Sequence, residues 1–292
     1  MNKRGKWAYT WHMMKVNKAC YGLLAPFMVL FLIFTIVPVC MSLPIGFTNF
    51  NMVQSPEFVG LSNFYTLFLN DDVFLIAVRN TLIFAIFTGP FSYILSFFIA
   101  WLINEMNPFF KTFFTFVFYA PSMTTSVYVT WQLILSGDSY GYLNAVMMDL
   151  GIFNTPAQFL TDTKYILAVV IIVQLWISMG AGFLAIRAGF QGIDKSMYEA
   201  GAIDGVHNRF QEIWYLTLPQ MKPQLLFGAV MQISSSFAVG AVPAALCGNP
   251  SVNYATHTII NHIDDYGGVR YELGYACAIS TVLLLVMLIV NK

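Results

Sequence analysis

Residues 194–219 read DKSMYEAGAIDGVHNRFQEIWYLTLP and lie between two strongly apolar stretches of the chain. Asp194 suits the N-cap of a helix, because a carboxylate there can accept backbone N–H groups. The sequence from Lys195 to Ile203 predicts a short helix, and Gly205 supplies a stop signal after it. Four of the chain's fourteen acidic residues fall in this segment. A polar, structured segment of this kind is unusual for a simple connector.

The second half of the segment predicts another helix. Asn208 with Gln211 three residues later resembles a capping box. Pro219 ends this helix, and Pro223 is well placed as the first residue of the next apolar stretch. The residues expected on one face of the second helix are Phe210, Ile213, Trp214 and Thr217. The segment is therefore predicted to form a helix–turn–helix.

The composition of the whole chain indicates a membrane protein. Of its 292 residues, 58% are hydrophobic and 10% are charged, against roughly 45–50% and about 25% in soluble domains. A soluble chain of this composition would expose large apolar patches. The formal net charge is zero, so no basic field indicates a nucleic-acid partner.

Six apolar stretches are long enough to cross the hydrocarbon core, which takes roughly 20 helical residues. They are residues 22–46, 75–103, 113–135, 165–187, 224–246 and 271–290. Several contain Pro or Gly, including Pro121, Gly180 and Pro243, and broken helices at membrane depth are tolerated where they line a cavity. We therefore predict an all-α protein of about six transmembrane helices.

The distribution of Lys and Arg predicts the orientation. With a cytoplasmic N-terminus, eleven of these residues face the cytoplasm: Lys3, Arg4, Lys6, Lys15, Lys18, Lys111, Arg187, Lys195, Arg209, Lys222 and Lys292. The outer side then holds three, Arg79, Lys164 and Arg270. Both termini are expected in the cytoplasm. Residues 1–21 form a basic cytoplasmic segment, residues 22–292 form one transmembrane domain, and a short outer helix is expected around Leu143–Leu150.

A family resemblance lies in the same cytoplasmic segment. The run Tyr198-Glu199-Ala200-Gly201-Ala202-Ile203-Asp204-Gly205, followed by Leu216-Thr217-Leu218-Pro219, resembles the EAA loop of binding-protein-dependent ABC importer permeases. The family pattern is E-A-A, three residues, G, nine residues and I-x-L-P. This chain has Gly201 at the third position, ten residues (206–215) in the spacer, and Leu216 for the Ile. Ile203-Asp204-Gly205 makes the sugar-transporting branch, with maltose, glycerol-3-phosphate and multiple-sugar permeases, the best match.

The resemblance implies a type I ABC importer permease with a coupling helix between the fourth and fifth spans. By analogy, that helix docks into a cytoplasmic ATPase through Glu199, Ala200, Gly201, Asp204 and Gly205. The implied partners are a second EAA-type permease, two ATPase subunits and an extracytoplasmic sugar-binding protein, in a bacterial inner membrane. The chain contains no GxxxxGK[ST] motif, so ATP and Mg²⁺ are expected on the ATPase and this chain is not expected to be an enzyme. A solvated helix surface is the other reading of Glu199 and Asp204.

The spans carry neutral polar and aromatic side chains and no ionisable residue near their centres, which argues against a proton-coupled carrier. Such side chains suit an uncharged polyhydroxylated solute. The residues expected along the substrate pathway are Tyr128, Trp131, Gln174, Ser178, Gln232, Ser235 and Ser236. Ser and Thr also join membrane helices to one another, so helix packing remains the alternative for the hydroxyl residues.

Three further functions stay open. The chain could be an ABC permease for another polar solute, an ATP-independent secondary carrier, or a membrane-bound enzyme. An enzyme would need a cluster of reactive side chains, and the nearest is His257, His262, Asp264 and Asp265 in an outer loop. Their spacing fits a metal site loosely, but we expect a solvated loop. The four cysteines form no CxxC pair.

Overall fold

The computed structural model describes residue 9 and residues 12–291. Lys3, Arg4 and Lys6 of the predicted basic segment 1–21, and Lys292, therefore lie outside the described residues. The described part is built from helices, and its β structure is limited to one isolated bridge between Thr48 and Phe58.

Fourteen helices are labelled in this part of the chain. They are α1 Lys18–Ile45, α2 Ser62–Leu69, α3 Asp72–Asn104, α4 Pro108–Tyr119, α5 Ser126–Ile134, α6 Tyr142–Asp149, α7 Ile166–Ile177, α8 Gly180–Gln191, α9 Lys195–Ile203, α10 residues 209–220, α11 Lys222–Phe237, α12 Ala241–Cys247, α13 Ile259–Asp264 and α14 Leu273–Val290. A π-helical turn interrupts α1 at Leu32–Ile36, and another, Asp265–Val269, follows α13.

Three of these helices, α1, α3 and α14, are long and apolar enough to cross a membrane. The pairs α7–α8 and α11–α12 are each bent by 41°, and counting each pair as one span raises the number within the described residues to five. The stretch 113–135, expected to be one span, is instead two short helices, α4 and α5. Pro121 lies in a 3₁₀ turn between them, because its ring clashes with the preceding helical turn and it has no N–H to donate.

Helices α3, α8 and α11 pack against one another at the centre of the molecule. The buried face of α3 is lined with small residues three or four positions apart: Thr81, Ala85, Thr88, Gly89, Ser92, Ser96 and Ala100. Small side chains let neighbouring helices approach closely inside a membrane. Helix α1, by contrast, buries none of its residues, so its apolar surface needs lipid or another protein around it.

The residues around the start of α13 are buried. The expectation of a solvated loop is therefore wrong for His257, just before α13, and for His262 within it, which are 2% and 1% exposed. Asn80 of α3 donates to the backbone oxygens of Tyr254 and His257 at 2.9 and 3.0 Å. Thr81 accepts from the Ile259 N–H at 2.9 Å. These bonds replace water and draw the loop onto the start of α3.

The two imidazoles form a chain of hydrogen bonds that ends on Asp71, the N-cap of α3. His257 Nε2 lies 3.2 Å from His262 Nδ1, and His262 Nε2 lies 2.9 Å from Asp71 Oδ2. Tyr275 of α14 donates to the same oxygen at 2.7 Å. The side chains are arranged in series, and within the described residues no three His, Cys, Asp or Glu converge on a metal site. This chain of hydrogen bonds joins the N-terminal ends of α3 and α14 to α13.

Candidate functional site: the loop 194–219 and a polar cleft

The loop 194–219 begins with the short helix that its sequence predicts. Asp194 Oδ1 accepts the Ser196 N–H at 3.0 Å, and this backbone bond, with one from the Ser196 hydroxyl, lowers the pKa of Asp194. Helix α9 runs from Lys195 to Ile203. Gly205 has a φ of +95°, a left-handed conformation that other residues adopt only with strain.

The inner face of α9 packs against α10. Gly201 is buried, and a Cβ atom on it would lie 2.6 Å from Leu216 Cδ1. The Tyr198 hydroxyl lies 3.1 Å from Thr217 Oγ1. Gly201 and Leu216, which both depart from the family pattern, therefore pack against each other. Because Gly201 has no Cβ atom, the Leu216 side chain can occupy the space beside it.

Helix α10 starts with the predicted capping box, formed by Asn208 and Gln211. From Glu212 to Thr217 the helix is π-helical, so each turn holds more residues than in an α-helix. The expectation that four residues share one face is therefore wrong. Ile213 and Thr217 are buried, at 8% and 2% exposure, whereas Phe210 and Trp214 point outward.

The outer face of α9 carries most of the residues assigned to ATPase coupling. Glu199, Ala200 and Asp204 are exposed, whereas Gly201 lies on the packed side. Ile203 is 87% exposed beside them. It was not among the predicted coupling residues, although it is four residues after Glu199 and so shares its face. An exposed aliphatic residue among small and acidic ones makes this face a candidate for contact with another protein.

A polar cleft of about 360 Å³ lies where two broken helices meet. One break separates α4 from α5 and the other separates α7 from α8. They face each other, since a Cβ on Gly180 would lie 3.5 Å from Ser122 Cβ. The polar residues lining the cleft are Tyr119, Ser122, Gln174, Ser178, Gln232 and Ser235. Neutral hydrogen-bonding groups at such a break are suited to an uncharged polar ligand.

Gln232 at the base of this cleft is held by α3. It is 2% exposed, its Oε1 accepts from the Ser92 hydroxyl, and its Nε2 donates to Ser96 Oγ at 3.0 Å. A Cβ on Gly182 of α8 would lie 2.8 Å from the Gln232 side chain. The Gln232 amide therefore joins α11 to α3 and contacts α8. Its hydrogen bonds go to protein groups, so it serves helix packing more than ligand binding.

No protein-family model matches the chain. It is 28% identical over 278 residues to the probable ABC transporter permease protein YesP of Bacillus subtilis (strain 168), covering 94% of this chain and 88% of that protein. The arabinooligosaccharides transport system permease protein AraP of the same strain is 27% identical, with 94% and 86% covered. The sn-glycerol-3-phosphate transport system permease protein UgpA of Pectobacterium atrosepticum is 27% identical, with 92% and 90% covered.

The fold is similar to a chain in the crystal structure of a bacterial ABC transporter involved in the import of the acidic polysaccharide alginate. The TM-score is 0.76 at 25% identity, and 97% of each chain is covered. Over most of its length this chain is therefore similar to ABC importer permeases of the sugar-transport family. A structure of an alginate ABC transporter in complex with a pentasaccharide-bound periplasmic protein has the same fold, with a TM-score of 0.77 at 24% identity.

The permease does not bring all of the predicted pathway residues together. Gln174, Ser178, Gln232 and Ser235 line the polar cleft. Ser236 is 2% exposed and faces α3, since a Cβ on Gly89 would lie 3.1 Å from its Oγ. Tyr128 and Trp131 of α5 pack against the apolar cluster around Val170. The Trp131 and Trp176 rings meet edge-on, with their centroids 5.6 Å apart.

Two residues of the cleft, Tyr119 and Ser122, were not among the predicted pathway residues. Tyr119 is the last residue of α4, and Ser122 lies in the 3₁₀ turn that follows it. The signal that could have identified them is Pro121 between them, because a Pro in a polar stretch of a span marks a broken helix.

Proposed function

We propose that this permease is the membrane subunit of a binding-protein-dependent importer that carries a sugar or oligosaccharide into the cytoplasm. The observation that carries the proposal is the polar cleft at the two facing helix breaks. Its amides and hydroxyls can replace the water bound by sugar hydroxyl groups, each bond contributing roughly 0.5–1.5 kcal/mol net. The relatives named for arabinooligosaccharide and glycerol-3-phosphate transport support cargo of this class. An ABC permease for another polar solute is the alternative.

We place both termini in the cytoplasm, with six spans: α1, α3, the broken pair α4–α5, the bent pairs α7–α8 and α11–α12, and α14. The charge distribution of the sequence supports this topology. A reporter active only in the cytoplasm should be active when fused after Lys195 and inactive when fused after Asp149. The opposite result would contradict the topology.

The loop 194–219 is the coupling element in this proposal. The exposed face of α9, with Glu199, Ala200, Ile203 and Asp204, docks onto an ATPase subunit, while Gly201 and Gly205 shape the helix and its end. The ATPase binds ATP and Mg²⁺, and the permease itself performs no catalysis. The other proposed partners are a second EAA-type permease, a second ATPase copy and an external sugar-binding protein.

The test is uptake of labelled oligosaccharides by the complete transporter in proteoliposomes. Uptake should require ATP inside, the binding protein outside, and an intact ATPase. A panel of neutral oligosaccharides, with an amino acid and a dipeptide as controls, separates sugar transport from transport of another polar solute. Uptake that continues without ATP would show a secondary carrier and would contradict the proposal.

A further inference from the structure

Arg187, in the second half of α8, is buried without an anionic partner. Its side chain is 3% exposed, and its Nη1 donates to the neutral Oδ1 of Asn104 at 3.1 Å. Its Nε has no hydrogen-bond partner. Among the described residues, no carboxylate lies within ion-pair distance of this guanidinium. Burying a charged group in this way is costly unless an anion or further hydrogen bonds compensate.

A second cleft, of about 310 Å³, lies beside this side chain between α4 and α8. Its lining is Lys111, Thr112, Thr115, Phe116, Tyr119, Arg187 and Gln191. We name it the basic cleft, because two cations and no acidic residue line it. Lys111 also makes no ion pair within the described residues.

The basic cleft adjoins the polar cleft, because the Tyr119 side chain lines both. Lys111 is in the first turn of α4 and Tyr119 is its last residue, so the basic cleft leads from the polar cleft toward the predicted cytoplasmic side. A ligand leaving the polar cleft in that direction would pass Arg187 and Lys111.

We propose that Arg187 and Lys111 form an anion subsite that takes a carboxylate of an acidic sugar unit as the cargo moves toward the cytoplasm. A guanidinium presents its N–H groups as a fork that can donate two parallel bonds to a carboxylate. This inference rests on the proposed function, since it adds an acidic group to the same oligosaccharide. It changes the expectation of an uncharged solute, because the hydroxyl groups occupy the polar cleft and the carboxylate occupies the basic cleft.

The test uses the complete transporter in phosphatidylcholine liposomes, with a labelled uronate trisaccharide and its carboxyl-reduced neutral counterpart. The wild type should take up the uronate. Arg187→Gln should lower uronate uptake about tenfold and change neutral uptake less than about twofold. Uronate uptake by Arg187→Lys should fall between those of the wild type and Arg187→Gln, because lysine keeps the positive charge and lacks the forked N–H groups of the guanidinium. Lys222→Gln, which removes an exposed cytoplasmic lysine outside the cleft, is the matched control and should leave both rates unchanged.

Equal loss of both sugars, or a lower yield of the assembled complex, would assign Arg187 to structure and overturn the proposal. A phospholipid phosphate is the other anion at this depth. If Arg187→Gln acts only in liposomes that contain phosphatidylglycerol, and acts equally on both sugars, the subsite belongs to lipid and the proposal is wrong. Wild-type uptake of neutral sugars alone would overturn this inference and leave the proposed function standing. Failure of every oligosaccharide would instead overturn the proposed function.

Discussion

Arg209 Nη2 lies 3.3 Å from Glu105 Oε2, which joins the first residue of α10 to the C-cap of α3. Arg209 also pairs with Glu212 at 2.8 Å. The Arg209 and Glu105 side chains are 61% and 43% exposed, so the pair adds at most about 1 kcal/mol to stability. Its consequence is geometric, because it attaches the loop 194–219 to α3, the helix that carries the serines bonded to Gln232.

We expect this ion pair to matter for coupling more than for stability. Glu105→Arg and Arg209→Glu should each lower transport per ATP hydrolysed, because like charges would then repel the loop from α3. The double exchange should restore much of the loss, and the melting temperature of all three variants should stay close to that of the wild type. Uptake and ATPase rates in proteoliposomes provide the measurement. Normal coupling in both single variants would show that the Arg209–Glu105 ion pair does not transmit conformational change between the loop 194–219 and α3.

Gly205 provides a matched pair of substitutions at the end of α9. Gly205→Val should disrupt the loop, because a branched side chain at φ +95° costs about 1 kcal/mol or more. Gly205→Asn should be milder, because Asn tolerates the left-handed region and no atom lies within 4 Å of its Cβ. Copurification of the ATPase with the permease is the readout. Equal behaviour of the two variants would contradict a conformational role for Gly205.

Glu199→Lys tests the docking face of α9. The side chain is exposed, so reversal of its charge should leave the permease folded while weakening ATPase binding and abolishing transport. Lys195→Glu, at an exposed position on the first residue of the same helix, reports on general charge effects. Normal transport by the Glu199 variant would remove this residue from the coupling surface.

The polar cleft predicts two different phenotypes. Gln232→Leu should lower the yield of assembled complex as well as uptake, because it removes the amide that bonds α11 to Ser92 and Ser96 of α3. Ser235→Ala should reduce uptake moderately and keep the complex intact, because its hydroxyl bonds only to its own helix, at Gln232 O, 2.9 Å away. Uptake normalised to complex yield separates the cases. A Gln232 variant that assembles and transports normally would show that Gln232 is needed neither for helix packing nor for transport.

The hydrogen-bond chain of His257, His262 and Asp71 predicts loss of stability in acid. Burial, with the charge of His262, lowers the pKa of His257 from 6.5 to about 4. Between these values the unfolded chain binds a proton that the folded chain does not, so stability falls as the pH drops through this range. Burial raises the pKa of Asp71, but the bonds from Tyr275, Phe74 N–H and His262 outweigh it and leave the pKa below 3.8. The contribution of Asp71 is therefore lost only at still lower pH.

His257→Gln should flatten the pH dependence of the melting temperature between pH 6.5 and about 4, because it removes the group that titrates there. His12→Gln, at an exposed histidine, is the matched control and should leave the slope unchanged. An unchanged slope in the His257 variant would show that another group takes up the proton.

The sequence by itself determined the features that depend on neighbours along the chain. Asp194, Gly205 and the Asn208–Gln211 pair predict the ends of α9 and the start of α10, because caps act within one helical turn. Apolar length predicts the positions of α1, α3 and α14 to within a few residues. The EAA-like run identifies the family for the same reason, since its residues are contiguous.

Only the tertiary structure decided which distant residues meet. Gln232 bonds to Ser92 and Ser96, 140 and 136 positions away, and His262 bonds to Asp71 across 191 positions. Local periodicity contains no information about such pairs, so a mid-span glutamine suggests a ligand contact and a loop histidine suggests solvent. Packing of α3 against α8, α11 and the segment around the start of α13 buries both groups. Once water is excluded, most polar atoms take a protein partner, and that preference separates helix contacts from groups open to a ligand.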